Sequence, residues 1–177
     1  PEDFADLSYW DSNAAATAQL AYTFITEVCK DKNAITADIA TCLYTGIMTD
    51  TGSFRFKSTT AAVHHIIAHL IEAGAKNWEI HQQVYNSSTE TRLKFLGYSL
   101  LNCLEVIPEY NAAVFALSRA DLAKFEISTG DTEGLVNYAL SIKGIRLAAL
   151  IIDRTELIKL SLRSIGDIPC NEICKLY

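Results

Sequence analysis

The chain has 177 residues, half of them hydrophobic, with 15 Lys and Arg against 21 Asp and Glu, a formal net charge of -6 and a pI near 5.2. That length and apolar content support a sizeable core in one or two domains. The acidic balance excludes a protein that wraps long duplex nucleic acid, which needs a basic footprint, but a few local cations or a metal could still hold a small anionic ligand.

Residues 1 to 10 read as irregular, with Tyr9 and Trp10 as anchors onto the body. Asp11, Ser12 and Asn13 are good N-caps and introduce a helix from Ala14 to Cys29 with Leu20, Phe24 and Val28 at i, i+4, i+8. Its small first turn, Ala14 to Ala16, allows close packing. Asp31 to Ala34 form a polar connection. Thr36 caps a second helix through Ile39, Leu43 and Ile47, which delivers Asp50. The alternation Ser53, Phe54, Arg55, Phe56 predicts a short extended segment with the aromatic pair on one side.

Ser58 to Thr60 cap a helix through Val63, Ile66, Ile67, Leu70 and Ile71, ended by Gly74. His65 and His69 stand one turn apart, but no third ligand follows, so the histidines here read as solvent-facing or packing residues. His81, in a short helix after Asn77, reads the same way. Ser87 or Ser88 caps a helix through Leu93, Leu96, Leu100, Leu101 and Leu104. Residues 105–111, charged and containing Pro108, read as a linker between residues 1–104 and 112–177.

Beyond it the pattern changes. Ala112 to Ser118 is a buried-strand run, Arg119 to Phe125 a short helix and Ser128 to Gly130 a turn. Asp131 or Thr132 caps a helix through Leu135, Val136 and Leu140, stopped by Gly144. Arg146 to Asp153 and Glu156 to Arg163 are two strands. The second alternates, with Ile158, Leu160 and Leu162 expected toward the core and Lys159, Ser161 and Arg163 on a polar face. Such a face is ordinary on an exposed sheet; lining a cleft, it suits phosphate. Pro169 opens a last helix.

The five Cys, at 29, 42, 103, 170 and 174, show neither CxxC nor zinc-finger spacing. Cys29, Cys42 and Cys103 read as small core residues, and reduced thiols in a cytoplasmic setting are the default. No signal peptide is visible and no apolar run is long enough to cross a bilayer. The chain opens at Pro1 and its only Met is Met48, so it is expected to be a processed or incomplete stretch.

The stretch from Tyr44 to Phe56 carries the most chemistry. Asp50 sits where an apolar-periodic helix breaks into small polar residues, and a helix C-terminus is a poor place for a carboxylate unless a cation joins it. Gly52 permits a tight turn, and Ser53 and Arg55 offer a hydroxyl and a guanidinium suited to phosphate. A single Asp at a helix end is ordinarily a solvated turn residue. The paired features are also what a metal-assisted phosphoester hydrolase needs.

The run Thr45-Gly46-Ile47-Met48-Thr49-Asp50-Thr51-Gly52-Ser53-Phe54-Arg55-Phe56 resembles the fourth motif of the DHH phosphoesterases. Gly130-Asp131-Thr132-Glu133-Gly134-Leu135-Val136-Asn137, Ser161-Leu162-Arg163-Ser164 and Ile168-Pro169-Cys170-Asn171-Glu172-Ile173 resemble the associated DHHA1 domain. The subgroup it is most similar to is the nanoRNase/pAp-phosphatase type, often labelled exopolyphosphatase-related. The resemblance covers nearly the whole chain. It implies an α/β protein, with the mostly helical end of a DHH domain followed by a smaller α/β DHHA1 domain containing a mixed sheet. It implies a hydrolase in which two divalent metals, manganese or magnesium, activate water at a phosphorus centre, with Asp50 as one metal ligand and Arg163 as a substrate contact. Ser161 and Arg55 are added as substrate-binding candidates from their local chemistry. By the same resemblance the chain begins after the DHH triplet and ends before the glycine-rich GGGH segment. The implied partner is a small nucleotide or short single-stranded RNA, with no membrane, and a homodimer is one assembly open to it. Cyclic dinucleotides or polyphosphate remain alternative substrates, and a non-catalytic nucleotide-binding module is the alternative of a different class.

Overall fold

Small residues set the packing of the first helices. In the computed structural model, which describes residues 5–6, 8–28, 30, 34–127 and 129–176, α1 (Thr17–Thr23) is preceded by Ala16 without a side-chain cap. The carboxylate of Asp11 instead accepts the Asn13 backbone N–H at 2.8 Å, closing a turn before the helix. A Cβ added to Gly46 would stand 2.9 Å from the Ala18 Cβ. α1 therefore lies close against α2 (Ala37–Asp50). The expected stripe on Leu20, Phe24 and Val28 is not the inward face: Phe24–Val28 form a π-helical turn, and Phe24 and Val28 are exposed. The wider turn carries i+4 spacing off the packed side, and Tyr22 and Ile25 meet the core instead. Tyr9 and Trp10, expected to anchor the chain's start on the body, are largely exposed. Cys29, the connection from Asp31 and the turn at Ser128 fall outside the described residues.

Thr36 caps α2 as expected, its hydroxyl accepting the Ile39 N–H at 3.4 Å. The helix buries Leu43, Tyr44, Ile47 and Met48 against Val63, Ile67 and Leu70 of α3 (Ala61–Glu72) and Ile80 of α4 (Asn77–Tyr85). These elements make one compact unit, Pro1–Ser87.

The second unit, Ser88–Tyr177, has its own core. It opens with α5 (Glu90–Asn102), capped by Thr89, followed by β1 (Leu104–Ile107), β2 (Ala112–Leu117), α6 (Arg119–Lys124), α7 (Leu135–Leu140), β3 (Leu147–Arg154), β4 (Leu157–Ser164) and α8 (Cys170–Ile173). The sheet order is β1-β2-β3-β4, with β2 and β3 parallel and the outer pairs antiparallel. This is the mixed sheet expected. Residues 105–111 are not a free linker. Glu105 to Ile107 pair with Val114 to Ala112, and the Asn111 carbonyl accepts the Arg146 N–H at 2.7 Å. The boundary falls at Ser87 instead, because Phe95 of α5 is fully buried in the second core. On α5 the inward face is Phe95 and Ser99, while Leu93, Leu100 and Leu101 are exposed.

Cys103 packs on the second core, but Cys42 is exposed rather than buried. No helix among the described residues is long and apolar enough to cross a membrane.

Candidate functional site

α2 ends at Asp50 because the next residue turns its own side chain against the helix. The buried Thr51 hydroxyl donates to the Ile47 carbonyl at 2.6 Å and accepts the Phe54 N–H at 3.1 Å. The backbone then turns left-handed at three consecutive residues, Gly52 (φ 56), Ser53 (φ 61) and Phe54 (φ 65). The Ser53 N–H reaches back to the Met48 carbonyl at 2.8 Å, and the N–H groups of Arg55 and Phe56 both bond the Thr51 carbonyl. The expected extended segment at residues 53–56 is therefore absent: alternating residue types mark a left-handed turn here, not a strand. Such backbone costs a non-glycine residue roughly 1–2 kcal/mol. Gly52 is needed for a second reason. A Cβ there would meet the Phe56 ring at 2.6 Å.

Asp50 is exposed, and the last turn of α2 has no basic residue to offset the helix dipole. No hydrogen bond or ion pair holds its carboxylate among the described residues. Arg55 is exposed, and its Nε donates to the Gly52 carbonyl at 2.7 Å. This fixes the root of the guanidinium and leaves its terminal nitrogens to other partners. Ser53, half-buried in the same turn, stands between them. The carboxylate and guanidinium therefore flank one rigid turn.

The turn rests on rings. Phe54 sits edge-on to Tyr44 at a centroid distance of 5.6 Å, with His64 at 6.1 Å and His81 at 6.4 Å. The Tyr44 hydroxyl lies 3.3 Å from His81 Nε2. Burial raises its pKa above the ordinary tyrosine value, with Tyr85 adding to the rise and a bond to Asn77 opposing it. His69 pairs with the Tyr22 hydroxyl at 2.8 Å, and His64 and His65 are exposed. The histidines are packing and surface residues, as expected. Sequence reasoning missed Thr51 and Phe54 as parts of this site. The signal for Thr51 was a hydroxyl immediately after a helix end.

A divalent ion needs several hard donors. Among the described residues, no three of His, Cys, Asp and Glu come together. Asp50 suits one metal ligand, but the donors described here do not complete a metal site.

Arg163 and Ser161 belong to the second unit. By register Ala148 pairs with Arg163, Leu150 with Ser161 and Ile152 with Lys159. The polar set of β4 thus shares the sheet face that α7 covers further in, through Ala148, Leu150 and Ile152. The expected assignment of the two faces is reversed. Ile158 and Leu160 are exposed, because they lie on the other face with Ile151. β4 is the outer strand of the sheet, and on this face Lys159 and Arg163 are exposed and Ser161 half-buried, while β2 and β3 fill the core. Arg163 is exposed, and among the described residues its Nη1 bonds only the neighbouring Leu162 carbonyl, at 3.1 Å. A cavity of about 250 Å³ near the β3–β4 turn, lined by Arg119, Asp153 and Arg154 among others, includes none of the expected residues.

Comparison with known proteins agrees with this architecture. No protein-family model matches the chain. It is 37% identical to an exopolyphosphatase-related protein from Bacteroides fragilis whose structure is known, with a TM-score of 0.92 over 98% of this chain and 51% of that one. It is 29% identical over 170 residues to the bifunctional oligoribonuclease and PAP phosphatase NrnA of Thermus thermophilus, covering 96% of this chain and 49% of that protein. It is 25% identical over 176 residues to the protein of the same name from Bacillus subtilis, covering 99% of this chain and 55% of that protein. The chain spans about half the length of the curated relatives it matches. Fold and sequence together support the DHH-family resemblance. Within that class, the relatives it is similar to carry the name of the nanoRNase/pAp-phosphatase type.

Proposed function

We propose that the whole protein is a phosphoesterase that hydrolyses short oligoribonucleotides or pAp, with Asp50 as a ligand of a divalent metal site. The observation that carries this reading is Asp50 itself, an exposed carboxylate fixed at the negative end of α2, with no basic residue in the last turn of that helix and no ion pair to it among the described residues. The names of the Thermus and Bacillus relatives support the substrate class. Manganese or magnesium, when bound, would supply an activated water and neutralise phosphoryl charge. On the chain's side, Asp50 holds a carboxylate in place for the ion, and Arg55 directs a guanidinium from the same turn. Arg163 and Ser161 offer phosphate contacts along β4. A cytoplasmic location and a homodimer belong to the same reading.

The test is Asp50→Ala in the whole protein, with manganese-dependent release of nucleotide from a diribonucleotide, from pAp and from a cyclic dinucleotide as readouts. Loss of a ligand should cut kcat at least about a hundredfold on the preferred substrate. Activity retained with unchanged metal content would overturn the assignment of Asp50. Nucleotide binding without turnover in the unmutated protein would favour a non-catalytic module.

A further inference from the structure

We infer that Phe54 is a positioning residue for Asp50 and Arg55, an inference that rests on the reading proposed above. Three observations meet at this side chain. Phe54 is the last of three left-handed residues and carries a bulky side chain in a conformation that local preference disfavours. Its half-buried ring is held from three sides, by Tyr44 of α2, His64 of α3 and His81 of α4. Its backbone N–H is bonded to the buried Thr51 hydroxyl, one residue from Asp50.

The turn is thus held by tertiary contacts and not by its own sequence. Strain that persists only because the surroundings enforce it collects where a geometry must be kept. The two groups it governs lie on either side. Asp50 ends the helix that Thr51 closes, and the Arg55 side chain is tied to the carbonyl of Gly52, the first left-handed residue. If the ring leaves its seat, Ser53 and Phe54 can relax to right-handed angles. The bonds of the Arg55 and Phe56 N–H groups to the Thr51 carbonyl then open, and the carboxylate and guanidinium lose their shared frame. Phe54 touches neither group's ligand and acts only through them.

The experiment compares Phe54→Ala, Phe54→Tyr and the unmutated whole protein. It follows hydrogen exchange of the Arg55 and Phe56 amides, manganese binding by calorimetry, and kcat and KM on a diribonucleotide. Phe54→Ala should lose protection at both amides, bind manganese more weakly and lose about tenfold or more in kcat, because small misplacements of reacting groups are costly. Phe54→Tyr, which keeps the ring, should restore protection and most of kcat. Intact protection in Phe54→Ala, or lost protection with kcat and manganese binding unchanged, would overturn the inference while leaving the phosphoesterase reading standing. An unmutated protein that turns over no nucleotide would remove that reading and this one with it. If Phe54→Ala does not fold, His64→Ala removes one exposed wall of the seat and should show the same losses in smaller degree; no change there counts against the inference.

Discussion

From Thr51 to Phe56 every backbone N–H finds an acceptor within the turn or in the helix before it. Lys159, Ser161 and Arg163, by contrast, stand along an outer strand, and among the described residues Arg163 has one side-chain bond, to its neighbour's carbonyl. The first surface is organised before any ligand arrives. The second keeps its long side chains free, so binding there must pay the cost of ordering them. A fixed carboxylate suits a group whose angle matters, and exposed cations suit one whose charge matters. Changes in the turn should therefore register as stability and turnover, and changes on β4 chiefly as affinity.

The largest effect on stability is expected at Gly52. Gly52→Ala places a Cβ at φ 56 and 2.6 Å from the Phe56 ring. Because that ring is half-exposed and can give way, the cost should be set mainly by the backbone, about 1–2 kcal/mol in denaturant unfolding. Adding Phe56→Ala should recover only the steric part.

The second unit has a tight local structure of its own. Asp121 completes a capping box with Ser118 and accepts the Tyr98 hydroxyl at 2.6 Å. The Ser118 hydroxyl, followed by Tyr98, holds the Asp121 carboxyl below its ordinary pKa. A depressed folded pKa stabilises above the unfolded value, near 3.9, and that stabilisation is lost as pH falls through the folded value. Asp121→Asn should cost about 1 kcal/mol at pH 7. The gap to the unmutated protein should shrink in thermal melts taken below about pH 4.

The smallest effects carry the clearest contrast. Asp50→Asn removes a charge from the wrong end of a helix and should raise stability by about 0.3–1 kcal/mol while removing activity. Arg163→Ala should leave stability within about 0.5 kcal/mol and raise KM for a nucleotide. An Asp50→Asn protein that keeps its kcat and loses only in KM, as Arg163→Ala should, would erase the distinction between the surfaces.

Much of this frame is written in local signals. The Thr36 cap, the stop at Gly74 and the alternation of β4 each depend on neighbours in the chain, and each is legible there. Asp50 at the end of α2 is legible for the same reason. What the pattern hides depends on distant partners. The alternation of β4 sets which residues share a face, but not which face the helices cover. Residues 53–56 read as extended because Phe54 and Phe56 alternate with polar residues; only the seat formed by α2, α3 and α4 makes left-handed angles tolerable for Phe54. The leucines of α5 mislead similarly, since Phe95 and not Leu93 fills the core.

The parallel pairing of β2 with β3 has a consequence for how the second unit forms. β3 and β4 meet across a two-residue connection, from Arg154 to Leu157, so their pairing closes almost no chain. Joining β2 to β3 must instead gather everything between Leu117 and Leu147, including α6 and α7, before the first bond repays the lost freedom. That crossover is where folding of the unit should be slowest, and until it closes, the hairpin bearing Ser161 and Arg163 has an unpaired edge.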